Sequence, residues 1–216
     1  MDDKVYLIPG LGFDYRIFSE LKLNAKSVNY IEYLNPLEKE SLQIYVSRLI
    51  EHNLKSSEAI TLVGHSFGGI IAQEIAKQIT VKKIILISSI KSKRENPFHF
   101  TIISTIGIHK LFFKKWTLKT FPFWAKFHGY ETEVIQKLFV KMIGQHSDEY
   151  LQWALYQLSI WKGIENLKTP IIHIHGENDK TFPINLIENP IVIKSGTHVM
   201  VYNKAKEISD LINDVI

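Results

Sequence analysis

Six short runs rich in Ile and Val constrain this 216-residue chain more than any other feature, because each is mainly apolar and bounded by glycine, proline, serine or asparagine. They start at Val5 ("VYLIPG"), Val28 ("VNYIEY"), Ala59 ("AITLVG"), Lys82 ("KKIILISS"), Pro170 ("PIIHIHG") and Asn189 ("NPIVIKSG"). Continuous apolar runs of this length suit strands buried on both faces of a parallel sheet. Parallel strands need crossover connections, and the intervening segments have helical spacing. Tyr15 to Leu23 reads as a short helix and Glu38 to Leu54 as a longer one, with Leu42, Tyr45, Val46, Leu49 and Ile50 on one stripe. Phe67 to Ile79 is nearly all apolar, and Ala205, Ile208, Leu211, Ile212 and Val215 give the last helix an inward stripe. The expected class is α/β, a three-layer sandwich around a mostly parallel sheet of about six strands, in a single domain over residues 1–216.

The alternation breaks once, between Ile90 and Leu167. Helical spacing continues there, as in Val134, Leu138, Val140 and Met142, and again in Leu151, Ala154, Leu155 and Leu158. A segment of this size, about residues 91–167, is too long for a plain loop, so a helical cap over one edge or mouth of the sheet is expected. Its apolar stretch from Phe98 to Ile108 is about half the length needed to cross a bilayer.

The chemistry concentrates at Gly64-His65-Ser66-Phe67-Gly68. This G-x-S-x-G follows a buried run and opens a buried helix, the setting in which a serine stands on a strained turn as a nucleophile. The alternative, a glycine-rich bend of a nucleotide-binding fold, lacks any G-x-G-x-x-G or P-loop lysine to support it. A serine hydroxyl needs a base, normally a histidine oriented by a carboxylate. Asp179 follows the fifth run and His198 the sixth, with Glu177 a rival acid two positions before Asp179. Phe67 N–H, at the first turn of the helix, is one candidate oxyanion donor. The "IPGLGFD" loop supplies a second, with Leu11 N–H preferred over Gly12 or Phe13. His173 and His175 face the same side of one strand, but no third ligand stands at a suitable spacing, so they read as structural and no metal or cofactor is expected.

With G-H-S-F-G-G, the H-G-x-x-D-x-x-x-P run from His175 to Pro183 and the late G-T-H in place, the chain resembles the α/β-hydrolase superfamily of serine esterases, lipases and acyl-transfer enzymes. The resemblance covers Val5 to Ile216 outside the insertion. It implies a Ser66, Asp179, His198 triad, a cap inserted after "KKIILISS", and cleavage of a carboxylic ester or thioester through an acyl-enzyme. A lyase or a ligand-binding module on the same fold is the alternative. The sequence departs from the family in having Pro9-Gly10 where His-Gly is common, and in having only 18 residues between Asp179 and His198, too few for a full crossover helix. The hairpin strands that commonly precede the oxyanion strand are also missing, hence about six strands.

Composition narrows the partners. No cysteine is present, which removes thiolate chemistry. The net charge of +4 comes from lysines spread among acids, so a solvated basic surface is expected and not a nucleic-acid site. The start, Met1-Asp2-Asp3-Lys4, is acidic and its following apolar run short, so no secretory signal is read and a cytoplasmic location is expected. One segment stands apart: Lys91 to Tyr130 holds eight Lys or Arg, one acid (Glu95) and ten aromatic residues. Its stretch "HKLFFKKWTLKTFPFWAKFHGY" reads first as a cap packing its aromatics inward, second as a wall of an acyl cleft whose lysines steer an anionic substrate, and third as a membrane-surface contact.

Overall fold

The computed structural model of the protein describes residues 4–54 and 60–216. The acidic start at residues 1–3 and Ala59, the first residue of the third run, lie outside the described residues.

All six runs are strands: β1 (Lys4–Ile8), β2 (Ser27–Tyr30), β3 (Ile60–His65), β4 (Lys83–Ile87), β5 (Ile171–Gly176) and β6 (Ile191–Ile193). They form one sheet in the order β2-β1-β3-β4-β5-β6, with every pairing parallel. Double-sided burial holds for β1, β3 and β4. It fails at the edges, where Val28 and Tyr30 of β2 and Ile191 and Val192 of β6 are exposed. An edge strand has a neighbour on one side only, and here the layers do not reach over it.

The order places a switch between β1 and β3. The chain leaves β1 toward β2 on one side, and later leaves β3 toward β4 on the other. Right-handed crossovers then put helices α1 (Leu42–Asn53) and α2 (Phe67–Gln78) on one face, and the Tyr15–Phe18 turn on the opposite face. α1 packs on α2, while the Tyr15–Phe18 turn packs on α7 (Met200–Asn203). The amphipathic α8 (Ala205–Asn213) ties in beside it, where Ser209 Oγ accepts from Lys22 N at 2.9 Å. The result is the three-layer arrangement, with its ligand crevice expected at the carboxyl ends of β1 and β3.

Two helices are shorter than the periodicity predicts. Tyr15 to Leu23 yields only a four-residue 3-10 turn, capped by Asp14, whose carboxylate accepts from Arg16 N at 3.0 Å and pairs with the Arg16 guanidinium. α1 begins at Leu42, because Ser41 caps it and Lys39 holds a left-handed φ of 55°.

Between β4 and β5 the helices are α3 (Phe98–Thr105), α4 (Lys114–Trp124), α5 (Glu133–Ile143) and α6 (Asp148–Ile160). The two ends of this segment meet in an antiparallel bridge between Ser92 and Gly163, so the excursion leaves and returns at one place. α6 turns Leu151, Ala154 and Leu158 inward as expected. α5 follows the expected set only in part: Met142 is buried and Leu138 half-buried, but Val134 and Val140 face outward, while Ile135, Phe139 and Ile143 complete the buried side. The Thr132 cap sets the phase of the helix by aiming Phe139 into a ring cluster with Phe121, Trp124 and Tyr130. Among the described residues no helix is long and apolar enough to cross a membrane.

Candidate active site

Ser66 sits between the last residue of β3 and the first of α2 with φ 54° and ψ −123°, a conformation rare for a residue with a side chain. The surroundings hold it there. Ser66 N donates to Ile87 O at 2.9 Å, and Ser66 O accepts from Gly69 N at 2.9 Å and Ser89 Oγ at 2.7 Å. The motif's glycines are required by contact: a Cβ on Gly64 would lie 2.5 Å from Gly68 O, and one on Gly68 would lie 2.0 Å from Ile8 O. Helix α2 therefore presses directly against β1 and β3, and its amino terminus points at the crevice.

The structure brings the three expected side chains together. His198 Nε2 lies 3.0 Å from Ser66 Oγ, and His198 Nδ1 lies 2.9 Å from Asp179 Oδ2 and 3.2 Å from Oδ1. Asp179 Oδ1 also accepts from Thr181 N at 2.8 Å and Phe182 N at 3.0 Å. Burial works against ionising this carboxyl, but the electrostatic pull and hydrogen bond of His198, with His175 and the Phe182 N–H, outweigh it and hold the pKa below its ordinary value. An ionised Asp179 only accepts, so His198 Nδ1 carries a proton and Nε2 is left to accept from the serine hydroxyl. The rival acid, Glu177, is exposed and accepts from Ser195 N at 2.9 Å, away from the imidazole.

Three further histidines brace this line, each donating from Nε2 to a backbone carbonyl. His65, buried under Phe13, donates from Nε2 to His198 O at 2.9 Å and so anchors the backbone of His198. Burial, with the nearby His198, pulls its pKa down to about 3, leaving it neutral. His175 donates from Nε2 to Phe182 O at 2.8 Å and lies 3.5 Å from Asp179 Oδ2. His173 donates to Ser89 O at 3.0 Å, so the β5 pair is tied to backbone carbonyls behind Asp179. The role of His65 escapes sequence reading, because its partner is a carbonyl 133 positions away.

The loop after β1 lies against the serine, where a Cβ on Gly10 would come within 2.9 Å of Ser66 Cβ. Gly10 to Phe13 form a tight turn, with Phe13 N donating to Gly10 O at 3.1 Å and Gly12 at φ 79°. That bond occupies the Phe13 N–H. Tyr33 Oη donates to Pro9 O and His146 Nε2 to Phe13 O, fixing the loop from both sides. On its outer side is a cleft of about 580 Å³ lined by Pro9, Phe13, Tyr15, Tyr30, Tyr33 and His146 among others.

The helices between β4 and β5 lie over the site. Phe100 of α3 packs on Phe182, whose ring is 5.6 Å from that of His198. His128 meets Thr181 Oγ1 at 3.2 Å, and Gly129 O accepts from Asn203 Nδ2 at 2.8 Å. Phe13 continues the lining into the cluster of Tyr130 and Phe139. Under this cover Ser66 and His198 are only 5% and 6% exposed.

By sequence, no protein-family model and no curated protein matches the chain. By structure it is similar to a hydrolase from Oleispira antarctica (TM-score 0.74, 15% identity, covering 98% of this chain and 90% of that one). It is also similar to a thermophilic esterase (0.70, 19%, 99% and 89%) and to a lipase-esterase related protein from Clostridium acetobutylicum (0.68, 17%, 99% and 94%). The chain has the α/β-hydrolase fold. Near-complete coverage in both directions means that the helical segment between β4 and β5 falls within the likeness.

Proposed function

We propose that the chain is a serine hydrolase that cleaves a carboxylic ester or thioester. The observation that carries this reading is the unbroken hydrogen-bonded line from Ser66 Oγ through His198 to Asp179, ending on a strained elbow at the carboxyl edge of the sheet. Ser66 Oγ attacks the acyl carbon while its proton passes to His198 Nε2. Asp179 stabilises the imidazolium that forms. The carbonyl oxygen, now an oxyanion, is held by Phe67 N–H, at the positive end of α2, and by Leu11 N–H from the turn after β1. His198 returns the proton to the departing alcohol or thiol, leaving an acyl-enzyme. Water, activated by His198, then releases the acid and restores Ser66. No step draws on a metal or cofactor.

The segment at residues 91–167 serves as the cap, and the rings of Phe13, Tyr130 and Phe139 favour an apolar acyl group beside the serine. The near-complete burial of Ser66 and His198 also suits a second reading, elimination or ligand binding in a dry pocket using the same three groups. A panel of aryl esters and acyl thioesters of increasing chain length separates the two. Turnover abolished by His198→Ala, with the fold intact by circular dichroism, is the expected result; stoichiometric binding without turnover would establish the second reading instead.

A further inference from the structure

Large apolar side chains face solvent along one stretch of the cap. Phe98 (75% exposed), Ile102 and Ile106 (65%) recur at four-residue steps along and just past α3, while Phe100 turns inward. Leu111 is 69% exposed in the connection to α4. On α4 and the turn after it, Thr117, Phe121 and Ala125 point inward, whereas Trp116 (59%), Phe123 (89%) and Phe127 (66%) point out. Four of the eight aromatics between His109 and Tyr130, read first as packing inward, are therefore exposed: Phe113, Trp116, Phe123 and Phe127. Scattered apolar residues on a surface need no explanation, but a concentration in one segment does.

Charge indicates what covers them. Residues 96–130 contain no Asp or Glu, and Lys115, Lys119 and Lys126 stand among the exposed rings, with Lys119 Nζ 5.4 Å from the Trp116 ring centre. Lys114 is different, since it is turned back to Gly144 O and His146 O and helps to seat α4. A second copy of the chain would bring lysine against lysine, a repulsion that works against self-association. An anionic lipid surface matches both features, because Trp and Phe enter the boundary between head groups and acyl chains while lysines meet the head groups.

We propose that the outer face of residues 98–127 docks this protein on anionic membrane. The docked face lies on the outer side of the helix whose Phe100 packs on Phe182 beside His198. The docking itself does not depend on Ser66 being a nucleophile.

Co-sedimentation with phosphatidylcholine vesicles, with and without phosphatidylglycerol, tests it. Wild type is expected to pellet with the mixed vesicles only and to be released by high salt. Lys115→Gln, Lys119→Gln and Lys126→Gln together should weaken binding by about fivefold per lysine, on the order of 100-fold in all. Trp116→Ser, Phe123→Ser and Phe127→Ser together should weaken it by roughly tenfold or more, with an unchanged unfolding midpoint because these side chains are exposed. Ser66→Ala should bind like wild type. Wild type that ignores both vesicles, binds them equally, or keeps its affinity in either triple variant would overturn the proposal. A wild-type dimer by light scattering that the Trp116, Phe123, Phe127 variant splits would overturn it in favour of self-association.

Discussion

Gly68 and Gly10 show how a residue with no side chain shapes chemistry. Each leaves room for backbone to approach Ser66, but the neighbours differ in kind: Gly68 faces the fixed carbonyls of Ile8 and Pro9, and Gly10 faces the Ser66 side chain. Gly68→Ala is expected to cost about 3 kcal/mol of stability, because carbonyls of a central strand cannot give way. Gly10→Ala should cost less stability but reduce kcat at least tenfold, since the turn carrying Leu11 must shift from the serine; urea unfolding and ester kinetics on both variants check the contrast. The glycine spacing was readable in the sequence because the steric need is local. The preference for Asp179 over Glu177 rested on the H-G-x-x-D-x-x-x-P run completed by Pro183; in the structure Asp179 meets His198 and Glu177 accepts from a backbone amide. What could not be read was any bond whose partner is backbone, such as that of His65 to His198 O.

Strands and helices were readable to the extent that burial, and not a cap or a neighbour, set their pattern. Central β3 and β4 present apolar residues on both faces, and their runs look alike in the sequence. The edge strands β2 and β6 look similar in sequence and yet are half in solvent, because position in the sheet is a tertiary fact. α5 was read correctly at Met142 but not at Val134 and Val140, since these are as apolar as Ile135 and Phe139 and only the packed ring cluster distinguishes them. The buried histidines of β3 and β5 have a consequence at this scale. His65 and His173 both have pKa values lowered to about 3 from 6.5, by burial first and by neighbouring histidines second. Between those values the unfolded chain binds protons that the folded chain does not, so stability falls as pH drops from 6.5 toward 3. The slope is up to about 1.4 kcal/mol per pH unit for each histidine. Urea unfolding at stepwise lower pH should show this loss, and His173→Gln should make it shallower.

The molecule as a whole is a sheet whose loops at one edge hold Ser66, Asp179 and His198, covered by a helical excursion that starts and ends at one place. Glu95 fastens that excursion. Its buried carboxylate accepts from Lys91 N and from Glu188 N at 2.8 Å, joining the exit from β4 to the approach to β6. Glu95→Ala would strand both N–H groups and is expected to cost about 3 kcal/mol, lowering the thermal midpoint by roughly 6–12 °C, with Glu95→Gln intermediate. The gap between the fourth and fifth strands was legible, because a missing strand pattern needs no side-chain detail. The outward-facing rings of the excursion were not, since a sequence shows that a residue is apolar and not which way it turns.

The central claim is that Ser66 is the nucleophile. Treating the protein with a fluorophosphonate probe and mapping the adduct by peptide mass spectrometry tests it most directly. The expected result is one adduct on the peptide containing Ser66, absent in Ser66→Ala and strongly reduced in His198→Ala. Equal labelling of wild type and Ser66→Ala, or an adduct on another serine, would contradict the account.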